Sequence, residues 1–280
     1  LFDEYGIGHS KGSELAFHMT RMHHPLCGAE INEVIDYPYP EVDESQLHDF
    51  RSKVKSIHGV GLASLGFMQM TVFEASWYLR SMEQLMMDMM TENDAGIILL
   101  DKITDFACTK AKAYTKAGIN ILSLGDDIGT QTSLMMDTGT WEKWLKPRLK
   151  RVIDTAREIN PDILIFYHSC GFITPFVGKL IDAGVDIINP VQPECMSFDE
   201  VYEMYGSMVS FWGTLGTQQL LPCGTREEVM NTALARLAKC GRSGGIVIGP
   251  THMVEPEVPW ENLTAITDAA REFEKGIGIL

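Results

Sequence analysis

Several features that define large protein classes are missing from this 280-residue sequence. It has no uninterrupted apolar run long enough to cross a bilayer and no N-terminal secretory signal, so we expect no membrane association. The 23 Lys and Arg are outnumbered by 38 Asp and Glu, and the net charge of −15 argues against binding to a nucleic-acid backbone. No GxGxxG motif follows a first strand, which leaves a dinucleotide site without support.

Paired cysteines are also missing. The chain has six cysteines but no CxxC motif, and their spacing matches no disulfide framework. In a chain of this size, scattered thiols indicate a reducing compartment, so we predict a cytoplasmic protein. The sequence starts at Leu1 and not at a methionine, so we expect that the natural N-terminus lies upstream.

What the sequence does contain, after about residue 100, is a repeated alternation of strand and helix patterns. Each apolar, β-branched run is followed by a polar or glycine-containing turn and a segment with helical spacing of apolar residues. The five runs lie at 119–127, 162–170, 185–193, 208–216 and 245–253. Residues 54–67 are interpreted as one earlier strand and 71–90 as a long helix after it. Because both faces of the runs are apolar, they predict a parallel sheet covered by helices.

Six strand–helix units predict an α/β fold, and the arrangement we favour is a (β/α)8 TIM barrel. A closed barrel needs eight units, so the missing N-terminal part is expected to precede Leu1 or to lie within residues 1–50. The competing arrangement is a doubly wound open sheet. We interpret residues 1–280 as a single barrel domain, in which 1–50 form an irregular cap and 54–270 form the strand–helix repeats.

Polar side chains recur at the ends of five successive predicted strands. In a parallel α/β barrel the loops after the strands converge, so residues at these ends form the functional site. Asp126 and Asp127 end the first of the five runs, His168 and Cys170 end the second, and His252 ends the last. A single polar end carries little weight, but five in succession predict a polar pocket.

His168 and Cys170 lie two residues apart and therefore share one face of an extended strand. An imidazole and a thiolate are zinc ligands, and a catalytic zinc uses three protein ligands while one position stays open. His252, at another strand end, would complete the set. The alternative for the His-Ser-Cys tripeptide alone is a buried histidine bonded to a backbone carbonyl beside an inert cysteine.

The adjacent carboxylates Asp126 and Asp127 allow two interpretations. They form a general acid–base pair, or one of them is the N-cap of the next helix. We favour Asp126 as the catalytic group and Asp127 as the cap. The residues assigned to the substrate pocket are Asp127, Gln131, Asn189, Gln192 and Trp212.

Six segments carry a resemblance to a known family: LGDDIGTQ, HSCG, GVDIINPVQP, FWGTLGTQQLLPCGTREEV, GGIVIGPTHM and VPWENL. In this order they look like the uroporphyrinogen decarboxylase superfamily and, within it, like the corrinoid-dependent methyltransferase branch. The resemblance covers roughly residues 54–270 and reaches weakly to FDEYGI near the start. It implies a (β/α)8 barrel, which agrees with the strand count.

The resemblance also implies a zinc site. Methyltransferases of the superfamily bind zinc through a His-x-Cys pair and a later cysteine, and His168 and Cys170 match the pair. His252 stands seven residues before Pro259, at the position of the third ligand, so a histidine replaces that cysteine. Two neutral imidazoles and one thiolate would leave zinc with a net charge of +1, which makes it a stronger Lewis acid than zinc with two thiolates.

The implied activity is that of a zinc-dependent methyltransferase, which moves a methyl group between a small methylated substrate and a corrinoid protein that carries cobalamin. The substrate would be of the methoxy-aromatic, methylamine or thiol type, and a homodimer is one option for the assembly. Two alternatives stay open. One is a uroporphyrinogen decarboxylase of porphyrin biosynthesis, which would need an arginine motif that this sequence lacks. The other is a non-catalytic barrel that binds a corrinoid or tetrapyrrole.

Overall fold

A computed structural model of the chain describes residues 1–12, 20–241 and 244–276. The chain forms two compact units. Unit 1 consists of Leu1–Asp126 and Asp137–Ile165, and unit 2 consists of Asp127–Met136 and Phe166–Leu280. That residues 1–280 form a single barrel domain stays a prediction.

The secondary structure of the described residues alternates strands and helices along most of the chain. The strands are β1 (Gly8–Lys11), β2 (Thr20–His23), β3 (Leu65–Gln69), β4 (Ile121–Gly125), β5 (Leu164–His168), β6 (Ile187–Asn189), β7 (Ser210–Trp212) and β8 (Ile246–Val247). The helices are α1 (Ile31–Ile35), α2 (Glu44–Gly59), α3 (Phe73–Arg80), α4 (Met82–Thr91), α5 (Asp94–Ala117), α6 (Thr138–Trp144), α7 (Lys146–Arg157), α8 (Thr174–Ala183), α9 (Phe198–Tyr205), α10 (Leu220–Cys223), α11 (Arg226–Cys240) and α12 (Trp260–Gly276).

The strands form two sheets. β1 and β2 pair as an antiparallel ribbon, and within the described residues the parallel sheet has six strands in the order β3-β4-β5-β6-β7-β8. This confirms the predicted α/β class and the six strands expected from the apolar runs. Six of the eight strands that a closed (β/α)8 barrel requires are thus present in the described part of the chain.

Unit 1 contains the 24-residue helix α5, whose buried side chains include Leu99 and Ile103. β3 pairs in parallel with β4 along its whole length. Gly66 on β3 permits close packing, because a Cβ at this position would lie 2.9 Å from the ring of Tyr114. The apolar face of α5 is the largest source of buried side chains in this unit, as expected for a helix that covers a sheet.

The predicted strand at 54–67 is wrong over most of its length. Its first part belongs to the C-terminal half of α2, and the strand β3 begins only at Leu65. Asp43 and Gln46 form a capping box at the start of α2, in which each side chain accepts from the other's backbone N–H. This pair is a helix-start signal that was present in the sequence and was overlooked.

The single long helix predicted at 71–90 is also wrong, because the chain breaks into α3 and α4 at Ser81. Ser81 has a φ of +75°, which no α-helix accommodates, and its side chain accepts from the backbone N–H of Gln84 to cap α4. The first fifty residues, predicted to be irregular, contain β1, β2, α1 and the first turns of α2.

Unit 2 contains β6, β7 and β8 together with the C-terminal part of β5. All three residues of β6 are buried, and α8 buries Phe176, Val177 and Leu180. The apolar run predicted at 245–253 is a strand only over Ile246–Val247, so His252 lies in the loop after β8. None of the helices in the described residues combines the length and the apolarity needed to span a membrane.

Candidate metal centre

Three potential metal ligands converge in unit 2. His168 is the last residue of β5, Cys170 follows in the turn after it, and His252 lies in the loop after β8. One ligand atom from each of the three lies within 4.8 Å of the others. The structure therefore brings together the three residues that the sequence predicted as metal ligands, although they come from two separate parts of the chain.

The geometry and the chemistry of this cluster fit a zinc ion. The distance from His168 Nε2 to Cys170 Sγ is 3.4 Å. A tetrahedral zinc with Zn–N near 2.0 Å and Zn–S near 2.3 Å separates two such ligands by about 3.5 Å. The rings of His168 and His252 have centroids 6.1 Å apart and are tilted by 49°. Two imidazoles and one thiol form a donor set that zinc accepts, with a fourth position for a substrate.

The ring of His168 is oriented by a buried amide. His168 Nδ1 lies 2.6 Å from Oδ1 of Asn189, which ends the neighbouring strand β6. The amide nitrogen of Asn189 donates to the backbone carbonyl of Trp212, at 2.6 Å. Nδ1 of His168 is therefore held against an acceptor, and Nε2 is the nitrogen that faces Cys170.

The turn that carries Cys170 is supported by side chains from two other loops. The backbone N–H of Cys170 donates to Oδ1 of Asp127 at 2.7 Å, and the N–H of Gly171 donates to Oε1 of Gln192 at 3.0 Å. Both Asp127 and Gln192 were predicted as substrate-pocket residues. In the structure their oxygens also fix the backbone beside the metal ligand.

Gly171 completes this turn because no other residue fits there. Its φ is +84°, and a Cβ at this position would lie 2.5 Å from the carbonyl oxygen of Thr130. Beside it, the hydroxyl of Ser169 accepts from the N–H of Ile128 at 3.0 Å and lies within 3.2 Å of the Cys170 carbonyl. The HSCG sequence is therefore a tight, internally satisfied turn that projects one thiol.

Asp127 lies beside the candidate ligand cluster and is not the cap of the next helix. The next helix, α6, has Asp137 as its N-cap, so the prediction that Asp127 caps it is wrong. Oδ1 of Asp127 lies 3.8 Å from Nε2 of His168, and about a third of its side chain is exposed. Its carboxylate therefore adds negative charge next to the ligand cluster.

Asp126, predicted as the catalytic group, has a structural contact in unit 1. Its side chain is buried, and Oδ1 accepts from the backbone N–H groups of Val72 at 3.1 Å and Glu74 at 2.9 Å. These groups belong to the start of α3, so the carboxylate stabilises the positive end of that helix. The catalytic role of Asp126 stays a prediction.

The remaining pocket candidates lie in unit 2. Gln131 is exposed, and its Oε1 accepts from the thiol of Cys195 at 3.4 Å. Burial raises the pKa of that thiol. Trp212 is half-buried, and its ring meets the ring of Phe166 edge-to-face with centroids 5.3 Å apart. The assignment of Gln131 and Trp212 to a substrate pocket stays a prediction.

The comparison with protein families identifies the chain. The family model for uroporphyrinogen decarboxylase (URO-D) matches residues 54–273, which is well over half of the sequence. The chain belongs to the URO-D family. The three clustered residues all lie within the matched segment, so the candidate metal centre is part of the URO-D domain.

Curated relatives of this URO-D family chain include methyltransferases and a decarboxylase. It is 28% identical over 206 residues to a methylated-thiol–coenzyme M methyltransferase of Methanosarcina mazei, covering 71% of this chain and 51% of the relative. It is 23% identical over 175 residues to the methylcobamide:CoM methyltransferase MtaA of Methanosarcina barkeri, covering 62% and 48%. It is 22% identical over 177 residues to a uroporphyrinogen decarboxylase of Syntrophotalea carbinolica, again covering 62% and 48%. The chain thus spans about half the length of these relatives.

A solved structure shares the fold. A methyltransferase from Methanosarcina mazei superimposes with a TM-score of 0.74 at 20% identity, covering 96% of this chain and 76% of that one. At this level of identity the likeness shows the fold alone. It agrees with the α/β architecture of the URO-D family member described above.

Sequence reasoning missed how this URO-D domain makes room for Asn189. Gly213, which follows Trp212 directly, has a φ of +74°, and a Cβ there would lie 3.0 Å from Nδ2 of Asn189. The same Cβ would lie 2.6 Å from the carbonyl of Pro250. A glycine inside the predicted run 208–216 was the available signal, because such a glycine often marks a close backbone approach.

Proposed function

We propose that this protein is a zinc-dependent methyltransferase that moves a methyl group between a small methylated substrate and a corrinoid protein. The observation that carries the proposal is the convergence of His168, Cys170 and His252 in a URO-D family domain. Two of its curated relatives are named as methyltransferases, which supports this activity over others in the family.

His168, Cys170 and His252 would hold the zinc. When bound, the ion supplies Lewis acidity, with a net charge of +1 from two neutral imidazoles and one thiolate. The chain positions these ligands through rigid elements, because His168 is held by the ladder between β5 and β6 and Cys170 by the contacts of its turn. His252 is exposed, so the cluster is reached from solvent and a small substrate has access to the fourth position.

The reaction balances as a transfer of a methyl cation equivalent. The bond between the methyl carbon and its heteroatom breaks, and the heteroatom keeps the electron pair. The acceptor on the partner protein supplies the electron pair of the new bond to carbon. A proton reaches the leaving heteroatom when that atom is too basic to depart as an anion. The chain contributes orientation and electrostatics, and the partner contributes cobalamin.

Charge near the cluster favours a neutral or cationic methyl donor. The carboxylate of Asp127 lies 3.8 Å from His168 Nε2. Every lysine and arginine in the described part of unit 2 lies on a helix, and none lies in a loop that follows a strand. Methoxy-aromatic and methylamine compounds suit such surroundings, and the half-buried ring of Trp212 offers an aromatic contact for the former. A polyanionic porphyrinogen would need cations that these loops do not provide.

The test combines metal analysis of the full chain with a substrate panel. Protein purified with zinc should contain one zinc per chain, and it should transfer methyl groups from methoxy-aromatic, methylamine or thiol compounds to a reduced corrinoid protein. A preparation that stays metal-free after zinc loading would overturn the metal assignment. Conversion of uroporphyrinogen to coproporphyrinogen would establish the decarboxylase instead, and binding of a corrinoid without turnover would establish a carrier.

The proposal also covers the cellular compartment and the partners of the chain. All six cysteines are unpaired with one another, which agrees with a reducing, cytoplasmic compartment. A corrinoid protein and a small methyl donor are the proposed partners, and a second copy of the chain in a homodimer is retained as an option. Size measurement of the purified chain with and without the corrinoid protein tests both partners.

A further inference from the structure

Both the oxygen and the nitrogen of the Asn189 side-chain amide form hydrogen bonds beside the candidate metal centre. Its side chain is buried at 8% exposure, with Oδ1 2.6 Å from Nδ1 of His168 and Nδ2 2.6 Å from the carbonyl oxygen of Trp212. The sequence had placed Asn189 in the substrate pocket. With both amide atoms committed to the protein, its contacts point to a different role.

The hydrogen-bond chemistry leaves one protonation pattern for His168. The Trp212 carbonyl can only accept, so the atom of Asn189 that faces it is the amide nitrogen. The atom that faces His168 is then the amide oxygen, which also can only accept. Nδ1 of a neutral His168 must therefore carry the proton, and Nε2 carries the lone pair. That lone pair lies on the nitrogen 3.4 Å from Cys170 Sγ.

The sheet fixes this chain of contacts. His168 and Asn189 are paired residues of the parallel strands β5 and β6, and the N–H of Ser169 donates to the Asn189 carbonyl at 2.8 Å. Trp212 is the last residue of the next strand, β7. Three successive strand ends thus supply the imidazole, the amide and the terminal acceptor, and the order of donors and acceptors is set by rigid backbone.

We propose that Asn189 is a positioning residue, which holds His168 as the Nδ1–H tautomer so that a metal ion is bound through Nε2. The inference rests on the proposed zinc site and adds a residue to it. Outer partners of this kind contribute substantially to metal sites, because they fix both the ring orientation and the basicity of the coordinating nitrogen.

The competing explanation is that Asn189 only satisfies buried polar groups. Asn262 is a matched control for that role in the same unit. Its side chain is 1% exposed, and its amide nitrogen donates to the carbonyls of Leu221 and Gly224, at 2.9 and 2.8 Å. Asn189→Leu and Asn262→Leu therefore each remove a buried amide that donates to a backbone carbonyl, and of the two only Asn189 also contacts a candidate ligand.

Zinc affinity is measured for the full chain by competition with a chromophoric chelator. Asn189→Leu should weaken zinc binding about 10- to 100-fold, the range for loss of an outer-shell partner. Asn189→Asp keeps an acceptor for the Nδ1 proton and should bind zinc at least ten times more tightly than Asn189→Leu. Asn262→Leu should lower the melting temperature and leave zinc affinity at the wild-type value. Equal zinc affinity in wild type and Asn189→Leu would overturn the proposal.

A second readout needs neither metal nor activity. In metal-free chain labelled with ¹⁵N-histidine, the His168 signals, identified by their loss in His168→Gln, should show a protonated Nδ1 and an unprotonated Nε2. Finding the opposite tautomer in the wild type would overturn the proposal even if no Asn189 variant folds. If the wild type binds no zinc but shows the expected tautomer, the proposed function fails while the role of Asn189 in orienting His168 stands.

Discussion

Two regions of this molecule bring ionisable groups together, and they use them in opposite ways. In unit 1, Arg80 and Asp88 form a closed pair. Nε of Arg80 donates to Oδ2 of Asp88 at 2.5 Å, and Nη1 donates to the carbonyls of Leu26 and Ala29. Gln84 donates to the other oxygen of Asp88. The guanidinium and the carboxylate are almost fully buried, so the network compensates the cost of their desolvation within itself.

In unit 2, the cluster of His168, Cys170 and His252 has a different character. Its members are partly or fully exposed, and their ligand atoms are directed at a common volume. The surrounding hydrogen bonds go to the far side of the imidazole and to the backbone of the turn. These contacts fix the ring of His168 and the backbone beside Cys170.

The difference shows how a structural polar network can be told from a functional one. In unit 1 Arg80 donates to Asp88 and to two backbone carbonyls, and Asp88 accepts from Arg80 and Gln84, so the hydrogen bonds of the pair are made within the protein. In unit 2 two imidazoles and one thiol place their ligand atoms within 4.8 Å of one another, an arrangement that suits a zinc ion. Substitutions in the two regions should therefore separate stability from metal binding.

The largest effect is expected from Cys170→Ala. Loss of the thiolate should reduce zinc affinity by more than about 100-fold, because even partners outside the coordination shell contribute 10- to 100-fold. Methyl transfer should fall with it, while the melting temperature of the metal-free chain changes little. Zinc content and turnover are the measurements. Cys195→Ala is the control, and a similar loss of zinc in that variant would show that the metal lies elsewhere.

Arg80→Leu should have the converse effect. It leaves Asp88 buried without its partner, so the free energy of unfolding should drop by about 3–5 kcal/mol, measured by urea denaturation. Zinc content per folded chain should stay at the wild-type value. The matched control is Lys143→Ala, which breaks the exposed pair with Glu92 and should cost about 1 kcal/mol or less. Comparable losses in the two variants would show that the buried network is not the stabilising one.

His252→Cys tests the charge of the metal centre. A thiolate in place of the second imidazole should keep one zinc per chain and lower its net charge by one unit. Turnover with ether and amine donors should fall about 10-fold or more, since a less acidic zinc activates the leaving group less. Donor preference across the substrate panel is the measurement, with bound zinc as control. Unchanged preference at full zinc occupancy would contradict the charge argument.

The smallest effect is expected at an exposed pair in unit 2. The Lys239 ammonium lowers the pKa of the Asp199 carboxyl below its usual value. A lowered folded-state pKa adds stability above the ordinary aspartate pKa of about 3.9, and this stability is lost as the pH falls through the folded-state value. Asp199→Asn should therefore cost less than about 1 kcal/mol at pH 7 and nothing at strongly acidic pH. Melting temperatures of wild type and Asp199→Asn from strongly acidic pH to pH 7 provide the test. If the variant loses the same stability at every pH, the ion pair with Lys239 is not the source of that stability.

Much of the fold could be predicted from the sequence because buried parallel strands are apolar on both faces. The runs ending at Asp127, Cys170 and His252 stood out for this reason, and each contains a strand of the parallel sheet. The strand predicted at 54–67 was wrong over most of its length, because the amphipathic end of α2 also contains β-branched residues. The break at Ser81 could not be read from its neighbours, since both flanking stretches are good helix formers.

The sequence predicted the three candidate ligands, but only part of the hydrogen-bond network that positions them. His168 and Cys170 could be paired from their spacing, and His252 from its place at a strand end. The roles of Asn189 and Gln192 could not be assigned, because a polar residue at a strand end looks the same whether it faces a substrate or a backbone N–H. The same ambiguity affected the roles predicted for Asp126 and Asp127. The N-cap of α6 is Asp137.

The sequence alone determined the α/β class and the chemical identity of the clustered donors, since these follow from local periodicity and residue type. Only the tertiary structure decided which donor atoms come together and which polar groups bind the backbone. That decision depends on distances of a few ångströms between residues far apart in the chain, and local pattern carries no information about them.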